Sequence, residues 1–467
     1  MFHVKHSIVG HDSSLLSIRG PSGVSQLRHG LRDLWRSSRP GHGVSRETKN
    51  ICSLVSRETA RLGRGHSTRA PRRTAQPTPY QTRCYHEPVK FPRALAVLPL
   101  LALSALLFSA CVSVEEAQGW GAPTFTPNAV YYQESKDHLS GASLASDGSA
   151  TRSWVFPDKN NPQDKDLSLK AIYGAPAVDG DAVYFSTFTA GVFALNKETG
   201  RPIWRVSTGF SGDIVGGVSV GGGKVAFGTT DGDLHLVDAK DGKPAAGWPN
   251  GGVSFGKGVW AAPIIAGDFV YVASMDGTVD ALKLSDGSRT WPKPFSASGA
   301  IAEIRVLDDA HLFAPSLNKH VYILNRADGT VAQDFRANDW VWGGAAFKDN
   351  TAYFGDFAGQ VYALDITSGK DKWPSISLGK DRVKAAPQIV GDVVVFGDRK
   401  PTIHFLKASD GSRLGIPFPV LKAGTIRADA TTLQDGNVVF LTTNGRMFKA
   451  DPKTQTVVEL SVSGAGK

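Results

Sequence analysis

GAPAVDGDAVYFSTFTAGVFALNKETGRPIWRVSTG, residues 174–209, is the stretch whose reading decides the fold. It reads as four short strands: one opening at Ala-Pro, then a Gly-Asp turn and the alternating run AVYFSTF (182–188), then GVFALN (191–196), then a Thr-Gly turn and a last strand holding Trp204. The pattern returns as AAPIIAGDFVYVASMDGTVDALKLSDGSRTWPKPF from Ala261 and as GGAAFKDNTAYFGDFAGQVYALDITSGKDKW from Gly343, with looser copies from Gly216, Ala302, Ala385 and Ala428. Starts recur every 41 to 45 residues, the length of a four-stranded propeller blade. Residues 119–156 fit as a first, degenerate unit, which makes eight. One such unit cannot bury its own apolar face, so stacking units radially closes a core and hides strand edges. The expected fold is all-β, an eight-bladed β-propeller of four-stranded antiparallel blades over 119–467, with seven blades as the alternative. Eight is favoured because the last unit, ending TVVELSV, has its own fourth strand. Gly 51 and Pro 26 beside Met 3 agree with many turns and few long helices.

The formal charge of +9 is unevenly placed: residues 1–88 hold 15 Lys and Arg against 5 Asp and Glu, leaving 37 against 38 for the rest. A near-neutral folded part gives no ground for nucleic-acid binding. Cys52 and Cys84 lie in the basic head and only Cys111 beyond it, so no disulfide framework or zinc cluster is available to the globular part.

Residues 94–110, ALAVLPLLALSALLFSA, form an uncharged run preceded by Lys90 and Arg93 and followed at once by Cys111. This is the pattern of a secretory signal, here 89–110. Phe108-Ser109-Ala110-Cys111 resembles the bacterial lipobox, with Phe where Leu is usual; the resemblance implies cleavage before Cys111, a lipid on its thiol and a short tether at 111–118. An uncleaved anchor is the alternative, although about 17 apolar residues broken by Pro99 fall short of the roughly 20 that span a bilayer. Either reading places the propeller outside the cytoplasm. A signal beginning near Val89 suggests a GTG start there. The head carries FHVK (3–6) and VSRET (44–48 and 55–59), frame-shifted readings of the palindrome TTTCACGTGAAA. That palindrome resembles the bacterial chromosome-partition site, which would make 1–88 upstream DNA read as protein; a basic, disordered tail is the other reading.

The blade ends resemble the tryptophan-docking motif of pyrroloquinoline quinone (PQQ) type propellers, A-x-D-x-x-T-G-K-x-x-W. Residues 195–204 carry it with Gly200 and Trp204, 363–373 with Asp365, Gly369 and Trp373, 281–291 with Gly287 and Trp291, and 237–248 with Asp238, Gly242 and Trp248. The resemblance implies that Trp154, Trp204, Trp248, Trp291 and Trp373 are structural, each indole packing on a neighbouring blade. It specifies fold and leaves function open.

Quinone redox chemistry needs calcium held by carboxylate and amide oxygens and a carboxylate base. The chain beyond residue 111 has no cysteine pair and no DxDxDG-like loop; Glu303 and Asp429 are isolated acids. No HExxH occurs, and the five histidines beyond residue 88, His138, His235, His311, His320 and His404, are scattered, mostly in strand-like runs. The expectation is a protein that is not an enzyme and takes no cofactor, with a PQQ- and calcium-dependent dehydrogenase as the alternative.

Residues just before each innermost strand ring one mouth of the central channel. These are Lys170, Asp213, Trp260, Glu303 with Arg305, Trp340 with Trp342, Arg382 with Lys384, and Arg427. Mixed aromatic and basic residues suit recognition of a peptide, a carbohydrate or an acidic surface. A second docking candidate is the polar insertion PDKNNPQDKDLSLKAI at 157–172. In lipobox, blade count and missing catalytic set the chain resembles the propeller lipoproteins of the outer-membrane β-barrel assembly machinery. That resemblance implies a tethered, monomeric scaffold that binds an envelope protein or peptide, with a carbohydrate-binding surface module as a further alternative.

Overall fold

The computed structural model describes residues 119–464 apart from 136, 146–148, 421 and 423. The basic head, the signal run, Cys111 and the tether lie outside the described residues.

Eight antiparallel four-stranded sheets follow one another along the chain as the blades of a closed ring. Their innermost strands are Thr124–Thr126, Ala177–Asp179, Ser219–Gly221, Ile264–Ala266, Arg305–Val306, Ala346–Lys348, Gln388–Val390 and Thr431–Thr432. From the second unit on, each begins three residues after the start of its repeat, as the first does counted from Gly121, so the Ala-Pro pair leads into the strand rather than opening it. Small residues are required at that lead-in because the blades converge there. A Cβ on Gly174 would lie 1.9 Å from the Cα of Gly217 in the next blade.

In the second blade, Ala182–Thr187 is buried along its whole length and Gly191–Asn196 almost so. A middle strand has another blade on each face, so both sets of alternating side chains leave water. The core clusters follow the alternation: Val183, Phe185, Phe193 and Leu195 pack against the first blade, while Ala182, Tyr184, Val192 and Ala194 pack against the third. Eight such clusters, one per junction, replace a single central core.

Outer strands are largely exposed except for the docking indoles. Trp154 Nε1 donates to Lys197 O at 2.9 Å, Trp204 to Ala239 O at 2.8 Å, Trp248 to Leu284 O at 2.8 Å, Trp291 to Arg326 O at 2.9 Å and Trp373 to Ala408 O at 3.2 Å. Each acceptor lies in the following blade, beside a glycine of its Thr-Gly type turn. At Gly200 and Gly329 the backbone has φ of +67° and +75°, and a Cβ would stand 2.6 Å and 2.3 Å from the Trp154 and Trp291 rings. The five tryptophans are thus inter-blade docking residues.

The last unit corrects the sequence reading at its end. Its outer strand is Thr456–Leu460, and the chain then crosses to the first blade, where Val462–Ser463 pairs in parallel with Ala150 and Thr151. Val130, Tyr132, Ala142 and Ala150 meet Val439, Leu441, Met447 and Leu460 in the core of this junction. Thr431 Oγ1 donates to Pro123 O at 3.0 Å and helps to seal it.

Candidate functional site at the channel mouth

Aligning the repeats by their starts puts Trp120, Tyr173, Val215, Trp260, Ile301, Trp342, Lys384 and Arg427 at the residue just before each unit. All of these except Ile301 line one cavity of about 270 Å³ on the axis, to which all eight blades contribute. Ile301 is fully buried instead. The wall therefore consists of three indoles and a phenol with cations between them. Trp120 meets Tyr173 edge to face at 4.5 Å. The Lys384 ammonium lies 3.5 Å from the Trp120 ring centre and 5.1 Å from that of Trp342, and the Arg427 guanidinium is 5.9 Å from Trp120. Such distances give a cation–π attraction that holds the cations against the rings.

Two positions further along, six blades have only a small residue, Ala122, Ala175, Gly217, Ala262, Gly344 or Ala386, and the fifth and eighth carry Glu303 and Asp429. Arg305 joins these two acids. Its Nε donates to Glu303 Oε1 at 2.8 Å and an Nη donates to Asp429 Oδ2, so the guanidinium links the fifth blade to the eighth. The other Asp429 oxygen accepts the Ala386 N–H of the seventh blade at 2.7 Å. Gly344 leaves room for this group, since a Cβ there would stand 2.5 Å from Arg305 Nε. Burial and the Asp429 charge push the Glu303 carboxyl up from 4.5 to about 7, against the pull of Arg305. The same two carboxylates hold the Arg305 guanidinium above its ordinary value despite its burial.

The sign for stability follows. A carboxyl with a folded value above its unfolded one binds its proton more tightly in the folded chain, so its ionisation weakens the fold as pH rises from about 4.5 to 7. Glu303→Gln removes that dependence. Urea melts of variant and wild type are expected to shift in the variant's favour between pH 5 and pH 8; parallel pH curves would refute the assignment.

Of the residues expected on the rim, Trp260, Glu303, Arg305, Trp342, Lys384 and Arg427 line the cavity and Lys170, Asp213, Trp340 and Arg382 do not. Lys170 is exposed, its N–H bonded to Asp137 at 3.0 Å. Asp213 is tied through its N–H to Thr230 Oγ1 at 2.8 Å. Trp340 and Arg382 meet on Phe357, at 6.3 Å and 5.2 Å, and Trp342 stacks on the same ring at 6.1 Å. Trp260 and Trp342 are only 8% and 7% exposed, so they are walls rather than projecting rim residues. Trp120, Tyr173 and Asp429 also line the cavity and are absent from that expected rim. The insertion at 157–172 is folded on itself: Asp164 accepts the Asp158 N–H at 3.3 Å and the Asn161 amide at 3.1 Å, and Leu169 and Ile172 are fully buried.

The five histidines among the described residues all lie in strands, and none of them lines the cavity. His311 pairs with Asp308 at 3.0 Å, His320 with Asp334 at 2.6 Å and His404 with Asp398 at 2.9 Å. Calcium takes 6–8 oxygens, several of them from carboxylates. Both acids of the mouth are already committed to Arg305, and no three His, Cys, Asp or Glu side chains come together among the described residues. These residues do not fit a calcium–PQQ site.

A curated protein of Burkholderia pseudomallei described as outer membrane protein assembly factor BamB is 28% identical over 285 residues, 59% of this chain and 72% of that protein. Its counterpart from Xanthomonas campestris is 29% identical over 293 residues, 51% and 72% of the two chains. These relatives are described as assembly factors, in line with the expectation that the chain is not an enzyme. Among solved structures, BamB from Moraxella catarrhalis covers 70% of this chain and 94% of its own at a TM-score of 0.56 and 17% identity. A quinohemoprotein alcohol dehydrogenase from Pseudomonas putida covers 72% and 70% at 0.54 and 14%. At such identities both show the fold alone, the PQQ-type propeller. The family model described as outer membrane protein assembly factor BamB matches residues 111–293, 189–331 and 317–466, and the chain belongs to that family.

Proposed function

We propose that this chain is an extracytoplasmic scaffold of outer-membrane protein assembly, held to the membrane by a lipid on Cys111, whose channel mouth docks a protein or peptide partner. The observation that carries the reading is the convergence of all eight blades on one cavity walled by aromatic and cationic side chains. Buried aromatic and arginine groups dominate the energetics of protein recognition. The description of the relatives as outer membrane protein assembly factors supports the setting, and the family match beginning at Cys111 supports a mature chain that starts there. Exposed Arg382, lying over half-buried Phe357 next to half-buried Trp340, extends the docking surface beside the cavity. A ring closed on itself supports a monomer.

Chemical crosslinking in an envelope extract tests the reading. The full chain is expected to trap an outer-membrane assembly protein, identified by mass spectrometry, and Arg382→Ala or Trp342→Ala to reduce its recovery at least fivefold. Unchanged recovery with both variants, each showing a folded circular dichroism spectrum, would count against this mouth.

A further inference from the structure

In four blades a tyrosine and a tryptophan meet, at 6.0 Å for Tyr131 and Trp154, 5.8 Å for Tyr184 and Trp204, 6.2 Å for Tyr271 and Trp291 and 6.3 Å for Tyr353 and Trp373. The strand register sets a glycine or alanine between the two rings: the cross-strand rows are Tyr131–Gly141–Trp154, Tyr184–Ala194–Trp204 and Tyr353–Ala363–Trp373. The small central residue makes room for the rings, since a Cβ on Gly141 would stand 2.3 Å from that of Trp154. In the eighth blade the row reads Val439–Lys449–Val458, in register because Val439 faces Thr431 as Tyr184 faces Ala177. Valines thus replace both rings at the seam where the eighth blade closes on the first, and Val458 is 53% exposed.

A cavity of about 340 Å³ opens at this seam, beside the far ends of the innermost strands, and shares no lining residue with the mouth. Phe125, Leu144, Leu433 and Leu460 give it an apolar wall. Leu144 follows the pair Ala129–Ser143 as Lys197, the acceptor of the Trp154 indole, follows Ala182–Asn196, so the cavity lies at a docking place for a ring. Close-packed interiors leave few voids larger than a water, and this volume falls within the range of about 300–1,000 Å³ usual for binding pockets. Lys449 lines the cavity half-buried and has no hydrogen-bond or ion-pair partner among the described residues. Unlike the ammonium of Lys384, its own is not sealed from water. The one acid among the described residues of the wall, Asp435, accepts the backbone N–H and the side-chain amide of Asn437 at 2.9 Å and 2.7 Å within its own turn.

We propose that the seam is a further docking site, which takes a tryptophan side chain of a partner polypeptide with an aspartate or glutamate beside it. The indole enters between the eighth blade and the first, as Trp204 does between the second and the third, and the adjacent carboxylate pairs with Lys449. An aromatic anchor in a preformed apolar pocket is a usual centre of protein recognition, and the indole suits a site whose counterparts in the ring already hold one. The charge-assisted hydrogen bond to the ammonium fixes which residue must stand next to it. Binding here is independent of docking at the channel mouth.

Isothermal titration calorimetry of the full chain tests this with three capped peptides, acetyl-Gly-Asp-Trp-Gly-amide and its Asn-Trp and Asp-Leu counterparts. The Asp-Trp peptide is expected to bind at least tenfold more tightly than Asp-Leu and at least threefold more tightly than Asn-Trp. Lys449→Met should erase the preference for the acid and keep that for the indole, because methionine retains the apolar stem. The triple variant Val439→Tyr, Lys449→Ala, Val458→Trp rebuilds the row and should weaken Asp-Trp binding at least tenfold. Equal affinity of the wild-type chain for Asp-Trp and Asp-Leu, or for Asp-Trp and Asn-Trp, overturns the proposal without any variant. Displacement of the Asp-Trp peptide by dodecanoate at equal concentration also overturns it, because the seam would then be a site for acyl chains. Undiminished binding by a triple variant with a folded circular dichroism spectrum does the same. Trp342→Ala and Arg382→Ala are expected to bind the Asp-Trp peptide as the wild type does; a loss in either would move the indole to the mouth and overturn the seam site.

Discussion

Trp204→Ala is expected to lower the unfolding free energy by about 3–5 kcal/mol, the usual cost of emptying a large aromatic site that cannot collapse. The indole is 9% exposed in the wedge between the second and third blades, 5.8 Å from the Tyr184 ring and against Gly242. Two blades that pack as rigid sheets cannot close the gap, and the Ala239 carbonyl loses its donor as well. The molecule contains its own control. In the fifth blade Gln333 takes the docking place, its amide donating to Thr367 O at 2.8 Å beside Gly369. Gln333→Ala removes one partly exposed hydrogen bond and should cost only about 1 kcal/mol. Urea denaturation followed by circular dichroism distinguishes the two. Similar losses at both positions would mean that the indole contributes no more than a hydrogen bond to inter-blade docking.

The contrast also explains what could be read from the residues. The docking tryptophans and their turn glycines recur in register, so blade number and junction chemistry follow from the repeat alone. Gln333 breaks the motif and still performs the docking contact, through a donor that pattern matching does not weigh. The closing strand escaped for a different reason. Val462 and Ser463 continue the alternation of Thr456–Leu460, and nothing local says that their partners are Ala150 and Thr151, far away in sequence. At the mouth, counting back from each strand found Trp260, Trp342, Lys384 and Arg427. It failed two residues further from the strands that begin at Ala346 and Gln388: Arg382 and Trp340 turn onto Phe357 instead of the cavity, in a stretch where no strand alternation fixes direction. Tyr173 was missed because the insertion at 157–172 draws the count to Lys170, and Trp120 because the first unit is degenerate. Asp429 becomes visible only when the eight lead-ins are laid side by side and six of them show a small residue at its position.

Arg305→Ala is the second large effect expected. Stripping the partner from a fully buried ion pair costs about 3–5 kcal/mol, because the remaining charge stays where water cannot reach it. Here the three side chains are 22–40% exposed, so solvent screens part of that and a loss of about 2 kcal/mol is expected. The loss comes from two carboxylates left facing each other, so it depends on pH in a definite sense. Glu303, already raised by burial and by the Asp429 charge, holds its proton more firmly once Arg305 is gone, which makes the deficit largest at pH 8 and smaller at pH 5, where protonation relieves the repulsion. Removing the repulsion by composition should work as well. The triple variant Arg305→Met, Glu303→Gln, Asp429→Asn is expected to recover most of the stability at pH 8, although the link between the fifth and eighth blades is gone. A deficit of the same size at both pH values, with no recovery in the triple variant, would mean that Arg305 supports the ring by packing its aliphatic stem. The channel neck would then be held by shape, and the two acids, deprived of a charge role, would no longer explain why the fifth and eighth blades depart from the small residues of the other six.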